Sequence, residues 1–276
     1  MSWIPKSPQR RARTFAARVR GALNSVEIVV RQKLGFRQSE DSLIDDSQTY
    51  WNNSTEQNVR ANSHWRGAGI FADDLRWLSV GKEHLDLYEE FSRALKFNRR
   101  IERVVEWGCG GGMNAVYFAR LAQKYIGVDI SRASLEECSR QMMNFGLNNF
   151  QAVLIKANDP EAAIEQIQDT CDLLISTYVF ELLPTREYGL RILRIANKLL
   201  SPGGLAMIQI KYSEVDEKTW SRPWAYARNL ALNATYRIEE FWQAAQSCGF
   251  KPKMVMLLTE QPLVEDRNYA YFCLQK

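Results

Sequence analysis

Short apolar runs alternate with amphipathic segments from residue 102 onward. The runs RVVEW, YIGVDI, FQAVLIKA, CDLLIST and LAMIQIK are five to eight residues long and are bounded by turn residues, which predicts five buried strands. Apolar residues that recur every three or four positions predict helices over 113–123, 132–145, 160–167 and 186–200, the last ended by a turn at SPGG. This alternation is typical of a mostly parallel sheet with helices on both faces.

The last part of the chain has a different order. A helix at IEEFWQAAQSCGF, ended by Gly249, is followed by the apolar stretches KMVMLLTE and NYAYFCLQK with only a short connection between them. Two strands without a crossover helix form an antiparallel pair. The sequence therefore predicts an α/β fold with a doubly wound, mostly parallel seven-stranded sheet and an antiparallel C-terminal strand pair.

The first hundred residues contain more local signals. Residues 10–34 predict a helix whose apolar residues share one face: Phe15, Val19, Leu23, Val26, Val30 and Leu34. Residues 38–64 are polar and predict a linker with short helices, whereas residues 82–97 predict a helix. We divide the chain into a basic segment at 1–37, a helical extension at 38–100 and an α/β domain at 101–276, which carries an insertion at 213–236.

Positive charge is concentrated in the basic segment. Residues 1–37 contain nine Lys/Arg and one acid, a formal charge of +8; since the whole chain carries +4, the remainder carries −4. Three interpretations stay open: the apolar stripe packs on its own domain or on a second copy, it lies on an anionic membrane surface, or the segment is a mitochondrial targeting peptide. We expect a cytoplasmic protein, with a peripheral position at the inner membrane surface as the alternative and an oligomer left open.

The cysteines give a prediction about the compartment. The five cysteines form no CxxC pair and no Cys/His cluster with the spacing of metal ligands. We therefore expect a reducing compartment and no bound metal.

The segment VVEWGCGGG at residues 104–112 contains the end of the first strand of the α/β domain and the glycine-rich turn that follows it. Gly108 and Gly110 allow a sharp turn and a close approach of backbone N–H groups to a ligand. Asp129 ends the second strand, where a carboxylate can bind both hydroxyls of a ribose. An NAD(P) site is the rival interpretation, but its fingerprint has a third glycine where this chain has Met113.

These motifs resemble those of the class I S-adenosylmethionine (SAM) dependent methyltransferases, especially the members with small-molecule acceptors. The resemblance covers residues 102–274 and rests on VVEWGCGGG, IGVDIS, CDLLISTYVFELLP, LLSPGG, EFWQAAQSCGF and YAYFCLQK in this order. It implies a Rossmann-like methyltransferase fold and SAM as the cofactor. The methionine part of SAM is then expected to contact Glu106, Gly108, Cys109, Gly110, Ser176 and Thr177. The adenosine part is expected to contact Asp129, Ile130, Asn158 and Asp159.

Two segments are expected to close the pocket. One runs from Tyr50 to Trp77, where Trp65 and Arg66 would cover SAM and meet its carboxylate. The other is the insertion at 213–236, whose aromatic residues either belong to the core or line a flat or sugar acceptor: Trp220, Trp224, Tyr226 and Tyr236.

The base that a hydroxyl acceptor requires has several candidates. Many small-molecule members have a His after the Glu of the fourth-strand motif, whereas this chain has Leu182 after Glu181. The candidates by residue type and position are His64, His84, Tyr178, Glu181, Lys211 and Tyr212.

We therefore expect transfer of a methyl group from SAM to a small-molecule acceptor, with a hydroxyl of a natural product, sugar or lipid-linked glycan favoured over nitrogen. A tRNA or other nucleic-acid methyltransferase is less favoured, because STYVF replaces the Asp/Asn-Pro-Pro-aromatic motif of base-modifying enzymes and the body is acidic. A non-catalytic SAM-binding protein is the third alternative, since an intact cofactor motif does not establish turnover.

Overall fold

The computed structural model describes residues 25–276, whose strands form one mixed sheet. The strands are β1 (Arg103–Trp107), β2 (Lys124–Asp129), β3 (Phe150–Leu154), β4 (Cys171–Ser176), β5 (Leu200–Lys211), β6 (Lys251–Gln261) and β7 (Asp266–Gln275). They lie in the order β3-β2-β1-β4-β5-β7-β6. Strands β1 to β5 are parallel, while β7 runs antiparallel to β5 and β6. The predicted sheet with its antiparallel C-terminal pair is confirmed.

Helices cover both faces of this sheet. Within the described range they are α1 (residues 25–33), α2 (Glu40–Asn52), α3 (Gln57–Asn62), α4 (Asp74–Ala94), α5 (Ala115–Phe118), α6 (Arg132–Asn144), α7 (Ala162–Gln166), α8 (Arg186–Leu199) and α9 (Ile238–Ser247). Successive side chains of a strand point to opposite faces. Val105 accordingly packs with α8 and α9, whereas its neighbour Val104 packs with α4, α5 and α6. The carboxyl ends of the five parallel strands therefore meet at one edge between two apolar layers.

The turn predicted at SPGG is wrong, because these residues belong to β5. Leu200 pairs with Cys171 and Leu205 pairs with Leu173, so that the residues between Leu200 and Leu205 bulge relative to β4. Gly203 permits the bulge with a φ of 77° and donates its N–H to the carbonyl oxygen of Lys276 at 3.0 Å. This hydrogen bond to the last residue of the chain keeps SPGG extended, although its composition favours a turn.

Two N-terminal helices are longer or earlier than predicted. The helix expected at 82–97 begins at Asp74, because the side chain of Asp73 accepts the N–H of Leu75 at 2.9 Å and caps it. The polar stretch at 38–64 contains the 13-residue α2, which the side chain of Ser39 caps. Polar composition masked this helix, since only three of its residues are buried.

The described part of the predicted helix at 10–34 is helical over 25–33, and its residues 10–24 lie outside the described range. Between residues 25 and 276, no helix combines the length and the apolar character needed to cross a membrane.

Candidate active site

The turn after β1 forms one wall of a cavity at the carboxyl ends of the strands. Gly108 and Gly110 have φ values of 74° and 48°, which glycine adopts far more easily than other residues. A Cβ atom at Gly108 would lie 2.4 Å from Cγ2 of Val179, and one at Gly110 would lie 2.5 Å from the carbonyl oxygen of Ser63. Both positions require glycine, because the backbone is left-handed and the neighbouring residues pack directly against it.

Asp129, the last residue of β2, ties this turn to the second strand. Its Oδ2 accepts the N–H of Gly110 at 3.0 Å, and its Oδ1 accepts the N–H of Ser131 at 2.8 Å. Burial raises the pKa of the Asp129 carboxyl, and the two N–H donors oppose this effect because they favour the charged form. Asp129 also lines the cavity, so its remaining lone pairs are available to a pair of ligand hydroxyls.

Glu106 provides a second buried carboxyl at the same wall. Its Oε1 accepts a hydrogen bond from Nδ2 of Asn114 at 2.7 Å, and its Oε2 accepts one from the hydroxyl of Tyr125. Burial nevertheless raises the pKa of Glu106 to about 8. A cationic group in the cavity would favour the ionised form, since opposite charges stabilise each other most where water is excluded.

Asn114 connects Glu106 to a buried histidine behind the cavity. Its Nδ2 also donates to Oγ1 of Thr177 at 2.9 Å, which leaves Oδ1 to accept a hydrogen bond from Nδ1 of His84 at 2.7 Å. The proton of the neutral ring then lies on Nδ1, so Nε2 of His84 accepts from the hydroxyl of Tyr271 at 3.1 Å. Burial lowers the pKa of His84 to about 4, which keeps the ring neutral near pH 7. This network fixes the Glu106 carboxyl from behind.

The rest of the cavity wall is mostly apolar. Its aliphatic residues come from the ends of the strands and from the segment after β4: Val128, Ile130, Ile155, Val179, Leu182 and Leu183. The lining contains the carboxylates of Glu106 and Asp129 and, among the described residues, no Lys or Arg. Such a cavity favours a ligand with an apolar body, hydroxyls and positive charge over one that carries phosphates.

A protein-family model described as a methyltransferase domain matches residues 81–253, more than half of the chain. The chain belongs to the class I SAM-dependent methyltransferases. SAM is the cofactor that this family uses.

Similar proteins share the fold with this methyltransferase. Magnesium protoporphyrin IX methyltransferase from Synechocystis PCC 6803 superposes with a TM-score of 0.58 at 13% identity, over 83% of this chain and 97% of that one. The N-methyltransferase NodS from Bradyrhizobium japonicum WM9 gives 0.51 at 12% identity, over 71% and 86%. An mRNA cap guanine-N(7) methyltransferase from Candida glabrata is 32% identical over 121 residues, which is 40% of this chain. That match spans only 28% of the curated relative's length.

The residues at the cavity of the methyltransferase fit SAM. Asp129 would hold the ribose hydroxyls, and Glu106 would pair with the ammonium group of the methionine part. The left-handed turn at Gly108 and Gly110 brings the backbone close to the cavity with no side chain in the way. Cys109, Ile130 and Thr177 line the same cavity as these residues. Seven of the predicted cofactor contacts are therefore brought together: Glu106, Gly108, Cys109, Gly110, Asp129, Ile130 and Thr177.

Two residues expected to cover the cofactor do not line this cavity. Nε1 of Trp65 donates to Oγ of Ser134 at 3.4 Å, which directs the ring toward α6. Arg66 pairs with Asp74, its NH2 lying 2.6 Å from Oδ2. This ion pair holds the guanidinium against the start of α4, outside the cavity lining.

Three other predicted contacts also lie elsewhere. Ser176 is fully buried and donates its hydroxyl to the carbonyl oxygen of Trp107 at 3.1 Å, so it joins β4 to β1. Asn158 and Asp159 line a neighbouring surface depression, which shares Ile130 and Ile155 with the cavity wall. The N–H of Asp159 bonds to the carbonyl oxygen of Lys156 at 3.0 Å, and this tight turn carries both side chains outward.

Among the base candidates, His64 and Tyr178 line the cavity. Both have a left-handed backbone, with φ values of 54° and 56°. Their rings meet edge to face with centroids 4.9 Å apart. Side chains that large hold such a backbone conformation only where the surroundings enforce it, and such strain clusters at functional sites.

The other candidates are directed to different places. His84 belongs to the buried network, and Glu181 is buried outside the cavity lining, where burial raises its pKa to about 7. Nζ of Lys211 is bound to Oδ1 of Asp266 at 2.6 Å. Tyr212 lines an outer groove on the opposite side of β5.

The two predicted lid segments meet over the cavity. Nε1 of Trp51 donates to the hydroxyl of Tyr226 at 2.8 Å, and that hydroxyl donates to the carbonyl oxygen of Leu182 at 2.7 Å. The remaining aromatic residues of the insertion lie in the outer groove or in the core: Trp220, Trp224 and Tyr236.

Sequence reasoning missed Asn114, which is the central member of the buried network. Its only signal is its position directly after the glycine turn, at the start of a helix. Its partners His84 and Thr177 are 30 and 63 residues away, so the pattern of the sequence does not reveal their association.

Proposed function

We propose that this methyltransferase transfers the methyl group of SAM to a hydroxyl of a small molecule, such as a natural product, a sugar or a lipid-linked glycan, and that His64 accepts the hydroxyl proton. One observation carries the proposal: His64 lines the same cavity as Asp129 and the glycine turn.

His64 is unprotonated near neutral pH, as a proton acceptor has to be, and its lowered pKa also makes it a weaker base than an ordinary imidazole. Burial, with a smaller contribution from His84, lowers the pKa of His64 to about 3, so the ring is neutral near pH 7. A neutral imidazole has one ring nitrogen free to accept a proton. The ring of His64 packs edge to face against Tyr178, which also lines the cavity.

SAM supplies a methyl group on a positively charged sulfur, which is already activated for transfer. The chain has to hold the acceptor oxygen in line, remove its proton and exclude water. Trp51 and Tyr226, which are hydrogen-bonded to each other, cover part of the cavity, and His64 would provide the proton acceptor. A neutral amine acceptor needs no such base before transfer, so a histidine at this place favours a hydroxyl.

A nucleic-acid acceptor is the second candidate, because the mRNA cap guanine-N(7) methyltransferase from Candida glabrata shares 32% identity over 121 residues. Two observations disfavour it. The described cavity lining has no Lys or Arg to meet phosphates, and residues 38–276 carry a formal charge of −4 where nucleic-acid binding requires a basic face. A non-catalytic SAM-binding protein is disfavoured by the histidine in the cavity wall.

The experiment measures release of S-adenosylhomocysteine from purified protein offered panels of phenols, sugars, amines and capped RNA. We expect turnover with a hydroxyl panel and a fall of about 10²- to 10⁴-fold in kcat in His64→Gln, with unchanged affinity for SAM. Turnover only with amines or capped RNA would overturn the proposal, as would full activity of His64→Gln.

The pH profile gives an independent check. Because the pKa of His64 is lowered to about 3, the ring stays unprotonated and kcat should not fall between about pH 8 and about pH 5. A base with the ordinary histidine pKa of about 6.5 would lose most of its activity over the same range. Loss of kcat with a midpoint near pH 6.5 would therefore contradict the assigned environment of His64.

A further inference from the structure

The apolar side of α1 faces away from the protein. Val26, Val30 and Leu34 follow one another at intervals of four residues, and their exposed fractions are 60%, 46% and 66%. Ile28 on the other side of the helix is 2% exposed. The predicted packing of this stripe on its own domain is therefore wrong for the described residues.

The side of α1 that faces the body of the protein contains the buried Ile28 together with polar residues that contact the body. The guanidinium of Arg31 lies 5.5 Å from the ring centre of Trp224 and bonds to Glu27 at 3.0 Å. Glu27 also lies 3.6 Å from Arg228, and Gln32 donates to the carbonyl oxygen of Ser221. A helix that only covers its own domain normally directs its apolar residues inward, whereas Val26, Val30 and Leu34 remain in water here.

Two other exposed apolar residues line a groove beside the end of α1. The N–H groups of Gly35 and Phe36 bond to the carbonyl oxygens of Gln32 and Arg31, which ends α1 with a left-handed glycine and turns Phe36 outward at 59% exposure. Phe36 and Val215, which is 95% exposed, line the same groove.

The docking face consists of these five residues: Val26, Val30, Leu34, Phe36 and Val215. They are five of the eight large apolar side chains that are exposed anywhere in residues 25–276. Single exposed apolar residues are normal, but a cluster of them marks an interaction surface.

Charge identifies the partner of the docking face. Lys33 and Arg37 are exposed beside it, and residues 1–37 as a whole contain nine Lys/Arg against one acid. A second copy of the chain would bring this basic segment against itself, and like charges repel. An anionic lipid surface complements both properties, since it attracts the cations and accepts the apolar stripe at the boundary of its acyl chains.

We propose that α1 and the docking face bind the surface of an anionic membrane. The apolar sequence pattern continues in register upstream at Phe15, Val19 and Leu23, interspersed with further basic residues. On its inner side α1 contacts the insertion at 213–236, whose Tyr226 closes the cavity, so the bound membrane would lie next to the lid. The proposal stands on the surface alone and does not depend on which acceptor is methylated.

The test is co-sedimentation of the full chain with vesicles of phosphatidylcholine mixed with phosphatidylglycerol, and with vesicles of phosphatidylcholine alone. We expect binding to the anionic vesicles only, weakening as salt is added. The double variant Val30→Glu/Leu34→Glu should lower partition by at least about tenfold, because it removes apolar burial and adds negative charge. Leu75→Glu is the matched control: Leu75 is 74% exposed on α4, outside the docking face, and its variant should bind like wild type.

Several results would overturn the proposal. Wild-type protein that does not bind anionic vesicles, or a double variant that binds them as well as Leu75→Glu does, excludes a lipid-binding role for the stripe. Concentration-dependent dimerisation that the double variant abolishes, without any vesicle binding, would assign the face to a second copy. Calorimetric titration of SAM into each variant checks that the fold is intact, and unchanged affinity is expected.

Discussion

Substitutions at Asp129 can separate the contribution of its negative charge from that of its side-chain shape. Both of its carboxylate oxygens accept a backbone N–H, at 3.0 Å from Gly110 and at 2.8 Å from Ser131. Asp129→Ala removes both acceptors. Asp129→Asn keeps the shape but has to present its NH₂ group to one of the two N–H donors. We therefore expect that asparagine will not rescue the site.

The magnitude follows from these contacts. A hydrogen bond to a charged group contributes about 1.5–3 kcal/mol. Loss of the bonds to SAM hydroxyls should thus weaken SAM binding by about tenfold to a hundredfold in Asp129→Ala, since about 1.4 kcal/mol is a factor of ten. The same change should lower the free energy of unfolding by about 1.5 kcal/mol, at the low end of the range because water in the cavity can solvate the freed N–H groups.

The assay is calorimetric titration of SAM, paired with denaturant unfolding of each variant. Asp159→Asn serves as a control, because Asp159 is exposed and does not line the cavity, so its variant should bind SAM like wild type. Asp129→Asn that binds and unfolds like wild type would refute the reasoning, because it would mean that the two N–H donors do not depend on the carboxylate.

Three further predictions follow from other parts of the structure. In Gly81→Ala the new Cβ would lie 2.2 Å from the carbonyl oxygen of Met113. The free energy of unfolding, measured by denaturant titration, should therefore fall by about 1–3 kcal/mol, although alanine has the better helix propensity. Tyr226→Phe removes the hydroxyl that bonds to Trp51, so SAM should dissociate about three- to tenfold faster in stopped-flow fluorescence. SAM affinity should fall as pH decreases below about 8, approaching tenfold per pH unit, because protonation of Glu106 (pKa about 8) removes the partner of the ammonium group. In the same calorimetric titrations, the SAM affinity of Glu106→Gln should not change with pH.

Local pattern determined the order of the α/β elements and the cofactor end of the site. Apolar runs of strand length, glycines at 108 and 110 and an acid at the end of β2 are short-range signals, and each has a physical meaning within a few residues. The antiparallel C-terminal pair followed from the missing crossover helix. These features required no knowledge of distant contacts.

Only the tertiary structure decided which side chains meet. Asn114 bonds to Glu106, Thr177 and His84 because β1, β4 and α4 converge, and such pairings across the chain leave no periodic trace in the sequence. The ion pair with Asp74 removed Arg66 from the cofactor site, although local position favoured it.

The direction of the α1 stripe is the clearest case of this division. The sequence by itself determined that Val26, Val30 and Leu34 share one side of a helix, because helical periodicity is a local property. Whether that side faces the core or the solvent depends on which residues of α1 find partners on the body. Ile28, Arg31 and Gln32 lie on the side that contacts the body, and this leaves the side with Val26, Val30 and Leu34 outward.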